Sequence, residues 1–126
     1  MRTTIRAAIL AALAAVPAAA EGNVTRYTAF IGIEDLYNSN GDRLTKPWQI
    51  LRQDRANVHR YNIRHSGDQR DSYFTTLETR SSMERLLRDA TISADAAERL
   101  VAGGVAVEVE IDHHDPARPA ISVTVL

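Results

Sequence analysis

The sequence has no cysteine among its 126 residues. It can therefore form no disulfide bond, and no lipid can be attached through a cysteine side chain. Small exported domains often depend on disulfides for their stability. If this chain is exported, hydrophobic burial, hydrogen bonds or a partner must hold its fold together instead.

The sequence also lacks an apolar run long enough to cross a membrane as a helix. The apolar stretch over residues 7–20 contains 14 residues, whereas a transmembrane helix needs about 20. It follows Arg2 and Arg6 and ends in a proline and three alanines, which is the pattern of a secretory signal peptide. We predict a signal peptide over residues 1–20, cleavage near Ala20, export to the periplasm and no transmembrane span in the mature chain. The alternative is an uncleaved anchor or a buried core helix.

Motifs of common enzyme and cofactor sites are missing as well. The sequence has no G-x-S-x-G nucleophile motif, no P-loop and no dinucleotide-binding fingerprint. The run His65-Ser66-Gly67-Asp68 contains histidine, serine and aspartate, but neighbours in sequence do not by themselves make a catalytic triad. We predict no cofactor, and a binding role is favoured over an enzymatic one.

Basic residues do not outnumber acidic ones. Without Arg2 and Arg6, 13 basic and 16 acidic residues remain, a net charge of −3. This balance is not that of a general nucleic-acid binder, so no nucleic-acid partner is predicted. The charge is uneven, since residues 43–70 carry +5 and residues 71–126 carry −5. These segments could neutralise each other, or the basic one could face an envelope protein or an anionic envelope component.

Strand signals lie near both ends of the mature chain. Residues Tyr27–Tyr37 are rich in β-branched and aromatic side chains and predict a strand, which the turn signal Asn38–Gly41 ends. Residues Val105–Ile111 alternate apolar and polar, as do Ile121–Val125. The connection between these two is short, so we expect an antiparallel hairpin.

Helical patterns fill the middle of the chain. Apolar residues recur at helical spacing over residues 47–60. A second helix is predicted from the capping box at Ser81, with an earlier start near Thr76 as the alternative. A third is predicted over Ala94–Ala102, and a helical turn is expected to begin at Asp71. The fold class is therefore α+β: one domain over residues 21–126, in which the N-terminal strand and the C-terminal hairpin form a small antiparallel sheet against about three helices.

The helix over residues 47–60 carries the most informative side chains. Asp54 falls at the centre of its apolar stripe, so we expect a buried carboxylate paired with a cation such as Arg64 or Arg80. A pocket carboxylate acting as a base is the alternative. A second stripe on the opposite side is aromatic and basic and is our candidate for anion or partner binding; it consists of Trp48, Arg52, Arg55 and His59. A plain solvated face would have the same pattern.

A second cluster lies at the tip of the predicted hairpin. Asp112, His113, His114 and Asp115 place two imidazoles and two carboxylates in four residues, and such groups bind divalent metals. Neighbouring side chains point in alternate directions, however, so a defined site would need ligands from elsewhere in the chain. We therefore predict no metal and interpret the cluster as an acidic hairpin tip, with these four residues as weak metal candidates.

The stretch Gln53–Tyr61, followed by Arg64 and Gly67-Asp68, resembles a core shared by small uncharacterised exported proteins of proteobacteria. The turn at Tyr37–Gly41 fits the same family. The resemblance covers about half of the mature chain. It implies export and a central position for the helix over residues 47–60, but no activity and no catalytic residue.

Three functions remain open at this point. The first is a non-enzymatic binding or interaction module that uses the stripe from Trp48 to His59. The second is a small metal-dependent or acid–base hydrolase built on Asp54, His59 or the cluster at residues 112–115. The third is a structural protein that assembles through exposed edges of its sheet.

Overall fold

The computed structural model describes residues 20–126. The predicted signal peptide, apart from Ala20, lies outside these residues. The fold is α+β, as predicted, with an antiparallel sheet on one side and helices on the other. The strands pair in the order β1-β2-β3-β4 and are β1 (Ala20–Glu21), β2 (Val24–Ile31), β3 (Val105–Asp112) and β4 (Ala120–Val125).

Within residues 20–126, three helical segments pack on this sheet, and the second is interrupted at Ser82. They consist of α1 (Pro47–Ala56), the pair α2 (Leu77–Ser81) and α3 (Met83–Arg88), and α4 (Ala94–Ala102). A π-helical turn, Asn57–Tyr61, continues α1 and ends at Asn62, whose φ of 58° lies in the left-handed region. In the part of the chain that the structure describes, no helix is long and apolar enough to span a membrane.

The C-terminal hairpin and α4 have the predicted positions. In β3 and β4 the register pairs Val109 with Val123 and Ile111 with Ile121, which places the alternating apolar side chains on one face. Helix α4 begins after Ser93, whose hydroxyl accepts a hydrogen bond from the backbone N–H of Ala96 at 3.0 Å. It ends at Gly103, whose φ of 82° favours glycine.

The N-terminal strand differs from the prediction at both ends. It begins at Val24 and stops at Ile31, and the rest of the predicted strand forms a 3₁₀ turn, Ile33–Leu36. Asp35 closes this turn, because its carboxylate accepts a hydrogen bond from the Gly32 N–H at 3.0 Å. The apolar residues of the turn have the composition of a strand. The Asp35 carboxylate, however, binds the backbone N–H of Gly32, which a longer strand would use for pairing.

The segment before α3 also differs in detail. The alternative start near Thr76 is the observed one, since its hydroxyl accepts a hydrogen bond from the Thr79 N–H at 3.1 Å and caps α2. No helical turn forms at Asp71. Instead its carboxylate accepts hydrogen bonds from the backbone N–H groups of Tyr73 and Phe74 and folds the chain into a loop.

The core lies between the apolar face of the sheet and the helices. Strand β2 alternates along its length, so that Tyr27, Ala29 and Ile31 are buried. Opposite them lie Leu51 and Ile50 of α1, both fully buried. The other face of the sheet is polar and carries a salt bridge between Arg26 and Glu110 at 2.9 Å.

Loop residues 65–74, which we call the edge loop, run along the side of β2 that faces away from β3, beyond the two residues that pair with β1. The Thr28 N–H donates to the Gln69 side-chain oxygen, the Gln69 N–H donates to the Thr28 carbonyl, and the Phe30 N–H donates to Asp68, at 2.8–2.9 Å. On the far side of the sheet, Thr91 exchanges backbone hydrogen bonds with Ile121 and Val123. The part of β2 that β1 leaves unpaired and the outer strand β4 are therefore both partly covered by the protein's own chain.

Candidate functional site

The structure divides the predicted binding stripe into two environments. Trp48 is partly buried and Arg52 is exposed, as a binding face requires. Arg55, in contrast, has no exposed surface, and the His59 side chain is only 5% exposed. The expectation that all four residues share an open face is therefore wrong for Arg55 and His59.

The reason is a tertiary contact that helical spacing does not reveal. The edge loop folds back over α1 and places Asp71 and the Gln69 carbonyl against Arg55. On the other side, the Arg55 guanidinium carbon lies 4.0 Å from the centroid of the Tyr27 ring. The polar face of α1 is thus covered at Arg55. The charge of this residue is paired with the buried carboxylates of Asp54 and Asp71 and lies against the Tyr27 ring.

Arg55 is the centre of a buried ion network. Its Nε donates to Asp54 at 2.7 Å, and its Nη1 donates to Asp71 and to the Gln69 carbonyl, each at 2.9 Å. All three charged side chains are fully enclosed. Burial alone would lower the pKa of Arg55, but the neighbouring Asp54 overcomes this and raises it, so the guanidinium stays charged.

Asp54 is buried as expected of its position, and its partner is Arg55 rather than Arg64 or Arg80. Burial raises the pKa of Asp54 to about 7, against the opposing effect of Arg55. Its second oxygen, Oδ1, is enclosed by protein and has no hydrogen-bond partner among the described residues. A carboxylate in this position has no path to a substrate, although its pKa alone would suit a base.

Asp71 joins the network to the end of α1. Besides Arg55, it contacts Nε2 of His59 at 2.7 Å. Burial would raise the pKa of Asp71, but Arg55, the Phe74 N–H and His59 lower it below its ordinary value. The carboxylate is thus held ionised between an imidazole and a guanidinium, and it ties the edge loop to the helix.

A second polar cluster connects the edge loop to the 3₁₀ turn, and sequence reasoning missed it. His65 contacts Glu34 at 2.6 Å, Asp68 at 3.3 Å and Asp35 at 3.6 Å. Burial alone would lower the pKa of His65, but these three carboxylates raise it above its ordinary value. Asn57 completes the cluster by donating to Asp35 at 2.8 Å.

These contacts explain part of the sequence motif at residues 53–61. Polar contacts are made by four residues of the motif. Asp54 pairs with its neighbour Arg55, Arg55 and His59 also contact Asp71 in the edge loop, and Asn57 contacts Asp35 in the 3₁₀ turn. The adjacent Asp-Arg pair is the one signal in the sequence that could have indicated a buried ion pair. Asp71, the edge-loop partner of both Arg55 and His59, lies 16 and 12 residues downstream of them, and the sequence carries no signal of these contacts.

Trp48 stands at the surface between two grooves. The larger, which we call the Trp48 groove, has a volume of about 280 Å³ and is lined by Pro47, Trp48, Glu84, Leu87, Arg88 and Ile92. The smaller, of about 140 Å³, is polar and includes Trp48, Gln49 and Arg52. The Arg52 guanidinium carbon lies 5.7 Å from the centroid of the Trp48 ring, a cation–π distance.

The cluster at the hairpin tip does not gather ligands from elsewhere. Asp112, His114 and Asp115 are exposed, and the carboxylates of Asp112 and Asp115 accept hydrogen bonds from backbone N–H groups two residues on. His113 instead turns toward β2, where Nε2 lies 2.9 Å from the Thr25 hydroxyl. Across residues 20–126, no three histidine or acidic side chains are arranged to hold a metal ion.

Comparison of the chain with protein-family models, with curated proteins and with solved structures gives no match. The candidate sites of this protein therefore rest on their own geometry. That geometry distinguishes two features, an enclosed ion network around Arg55 and an open aromatic surface at Trp48.

Proposed function

We propose that this protein is an exported, non-enzymatic binding module whose partner docks in the Trp48 groove. The observation that supports this most directly is the position of Trp48. It is a partly exposed tryptophan, flanked by an apolar groove on one side and by Arg52 on the other. Tryptophan and arginine are enriched among the residues that dominate binding energies at interfaces.

The chemistry of the groove indicates the kind of partner. Pro47, Trp48, Leu87 and Ile92 offer apolar walls for one aliphatic or aromatic side chain. Exposed cations lie close to them, namely Arg88 in the wall and Arg52 over the indole, while Glu84 is the one acid of the lining. The best match is an acidic protein segment that inserts an apolar side chain and places a carboxylate near Arg52 or Arg88.

The alternatives find less support in the same geometry. A hydrolase built on Asp54 would need access that the enclosed carboxylate lacks, and His59 is bound to Asp71. Assembly through β4, or through the part of β2 that β1 leaves unpaired, would have to displace Thr91 or the edge loop. Export, as the signal-peptide pattern and the family resemblance suggest, places the binding role in the periplasm.

Peptide selection tests the proposal with no assumption about the identity of the partner. Peptides selected from an unbiased displayed library should contain an apolar residue flanked by acids, and their binding should change the fluorescence of Trp48, the single tryptophan of the chain. Arg52→Gln should weaken binding about tenfold, since a charge-assisted contact is lost. Arg99→Gln on α4 removes the same charge from an exposed position and should leave affinity unchanged. Selected peptides that bind both variants equally would contradict the assignment.

A further inference from the structure

Exposed apolar side chains gather at the end of the π-helical turn. Among residues 20–126, six large apolar side chains are exposed, and three of them are Ile33, Tyr61 and Ile63, with exposures of 67%, 45% and 39%. Tyr61 ends the turn, and Ile63 follows it after the left-handed Asn62. Exposed apolar side chains that lie together on a surface mark an interaction site.

Hydrogen bonds around Asn57 bring the 3₁₀ turn to the same place. The Asn57 carbonyl accepts a hydrogen bond from the Ile63 N–H at 2.7 Å, and its side-chain amide donates to the Glu34 carbonyl at 3.2 Å. The Glu34 carboxylate in turn contacts Nε2 of His65 at 2.6 Å. Because Ile33 is the chain neighbour of Glu34, the segments that carry Ile33 and Ile63 are joined by direct contacts.

Two cations flank these apolar side chains. Arg60 and Arg64 are exposed, as is every residue between them, so the chain projects here as a turn. The Arg60 guanidinium carbon lies 5.1 Å from the centroid of the Tyr61 ring, and Arg64 donates to the Asp68 carbonyl at 3.3 Å. Neither arginine forms an ion pair with any of residues 20–126. Residues 60–67 contain no acid, so the projecting turn is positively charged.

We propose that the protein docks on an anionic lipid bilayer through this projecting turn and the neighbouring 3₁₀ turn. The docking residues, which we call the Tyr61 surface, are Ile33, Arg60, Tyr61, Ile63 and Arg64. Anionic lipid surfaces attract arginine, and tyrosine is favoured at the level of the headgroups. Apolar side chains beside them are buried in the boundary between headgroups and acyl chains. The nearby acid Glu34 opposes docking little, because its carboxylate is bound by His65.

The shape of the Tyr61 surface favours a bilayer over a protein segment. A single apolar side chain of a peptide binds best where walls surround it, as in the Trp48 groove. Residues 60–64 are instead all exposed on a projecting turn. A bilayer needs no such walls, because the lipids themselves enclose the side chains that enter it. The Tyr61 surface shares no residue with the Trp48 groove and does not depend on peptide binding there.

Co-sedimentation with lipid vesicles tests the proposal. The parent protein should bind phosphatidylglycerol vesicles much more tightly than phosphatidylcholine vesicles, and added salt should weaken this binding. Ile63→Ser and Arg60→Gln should each weaken it about fivefold. The matched controls Leu77→Ser and Arg118→Gln change an exposed apolar residue and an exposed cation outside the surface, and should bind like the parent. Any binding by the apolar stretch over residues 7–20 is common to all of these proteins and cancels in the comparison.

Fluorescence quenching shows which residue enters the bilayer. In a Trp48→Phe background, the tryptophan introduced by Ile63→Trp should be quenched by brominated lipids in phosphatidylglycerol vesicles. The tryptophan introduced by Leu77→Trp in the same background should not be quenched. Thermal unfolding of each variant checks that the fold is kept, which is expected because both positions are exposed.

Four results would overturn the proposal. They are no binding to phosphatidylglycerol vesicles, equal effects of Ile63→Ser and Leu77→Ser, and either of two other occupants. NMR shifts at Ile63 on addition of poly-glutamate, without vesicle binding, would indicate an acidic protein segment, and a dimer broken by Ile63→Ser would indicate a second copy of the chain. Peptide affinity at the Trp48 groove should not change in Ile63→Ser, so failure here is distinguishable from failure of the proposed function.

Discussion

At the scale of single residues, the interior of this small domain is organised by charge as much as by apolar packing. Arg55 is fully enclosed and is bound by two carboxylates, a carbonyl and an aromatic ring. An ion pair of this kind adds little net stability compared with apolar residues of the same shape. Breaking it is costly, because the remaining charges stay buried without partners.

Replacement of Arg55 should therefore be far more harmful than replacement of its neighbour on the same helix. Arg55→Met leaves Asp54 and Asp71 without their shared cation and should lower the free energy of unfolding by about 3–5 kcal/mol. Arg52→Met changes an exposed residue and should stay within about 0.5 kcal/mol. Urea denaturation of both variants measures the difference. Similar losses in the two variants would show that the network does not hold the fold.

His65 should make stability depend on pH. Its pKa is raised in the folded state by Glu34, Asp35 and Asp68, so the folded protein binds the proton more tightly than the unfolded chain. The stabilisation is complete below the unfolded pKa of about 6.5 and is lost as the pH rises through the folded pKa.

The measurement is chemical denaturation of the parent protein and His65→Gln at pH 6 and pH 9. The parent should lose more stability between the two pH values than the variant does. Contributions from other groups, including Asp54 with its pKa of about 7, are common to both proteins and cancel in the comparison. An identical pH dependence in the two proteins would contradict the assigned contacts of His65.

At the scale of secondary-structure elements, the sequence predicts regular helices and strands well. It predicts poorly which of their faces are buried by distant segments of the chain. Strand β3 follows from the alternation of apolar and polar residues, and helix α4 follows from Ser93 and Gly103 at its two ends. Both are local signals. The burial of Arg55, in contrast, involves a contact with Asp71, 16 residues further along the chain. Helical spacing identifies which residues share a face, but it does not say which face another segment covers.

The same limit explains the N-terminal strand and the missed His65 cluster. The strand ends early because Asp35 hydrogen-bonds to the Gly32 N–H, although Ile33 and Tyr37 continue a β-like composition. His65 meets its partner Glu34 across 31 residues. The position of Trp48 at the surface could be predicted, but the two grooves beside it are formed with residues of distant segments such as Leu87 and Asn38.

The edge loop makes a prediction that belongs to this scale. Asp68 and Gln69 accept hydrogen bonds from the N–H groups of Phe30 and Thr28, and thereby cover the outer side of β2. Asp68→Ala should speed hydrogen exchange at Phe30, and Gln69→Ala should speed it at Thr28. The N–H of Val109, in the central strand β3, should keep its protection in both variants, and Ser72→Ala serves as a control in the loop. Unchanged exchange at Phe30 and Thr28 would show that the loop does not protect the strand.

At the scale of the whole molecule, the protein is a cysteine-free domain with ion networks inside and an aromatic surface outside. The Arg55 network and the His65 cluster both tie the edge loop to the rest of the fold. They hold α1 against the loop, and α1 carries Trp48 and Arg52 at the surface. We infer that this internal fixation keeps the binding surface in one geometry, which lowers the entropy cost of association.

The export prediction also concerns the molecule as a whole. Mass spectrometry of the protein recovered from the periplasm of a bacterial host should find a chain that starts at about residue 21. The reason is that signal peptidase recognises an A-x-A site, here Ala18 and Ala20, and cleaves after its second alanine. Substitution of Ala18 and Ala20 by a bulky residue should prevent cleavage. Recovery of the full chain with Met1 in the cytosolic fraction would contradict the prediction.

The central claim is that the Trp48 groove binds a partner, and the affinity of Trp48→Ala for a library-selected acidic peptide tests it most directly. Calorimetry should show a loss of about 30-fold or more relative to the parent protein, as expected when a dominant aromatic contact is removed. Tyr37→Ala, at an aromatic residue that is 40% exposed outside the Trp48 groove, should bind the peptide like the parent. Equal affinity of Trp48→Ala and the parent protein, with both variants folded, would contradict the account.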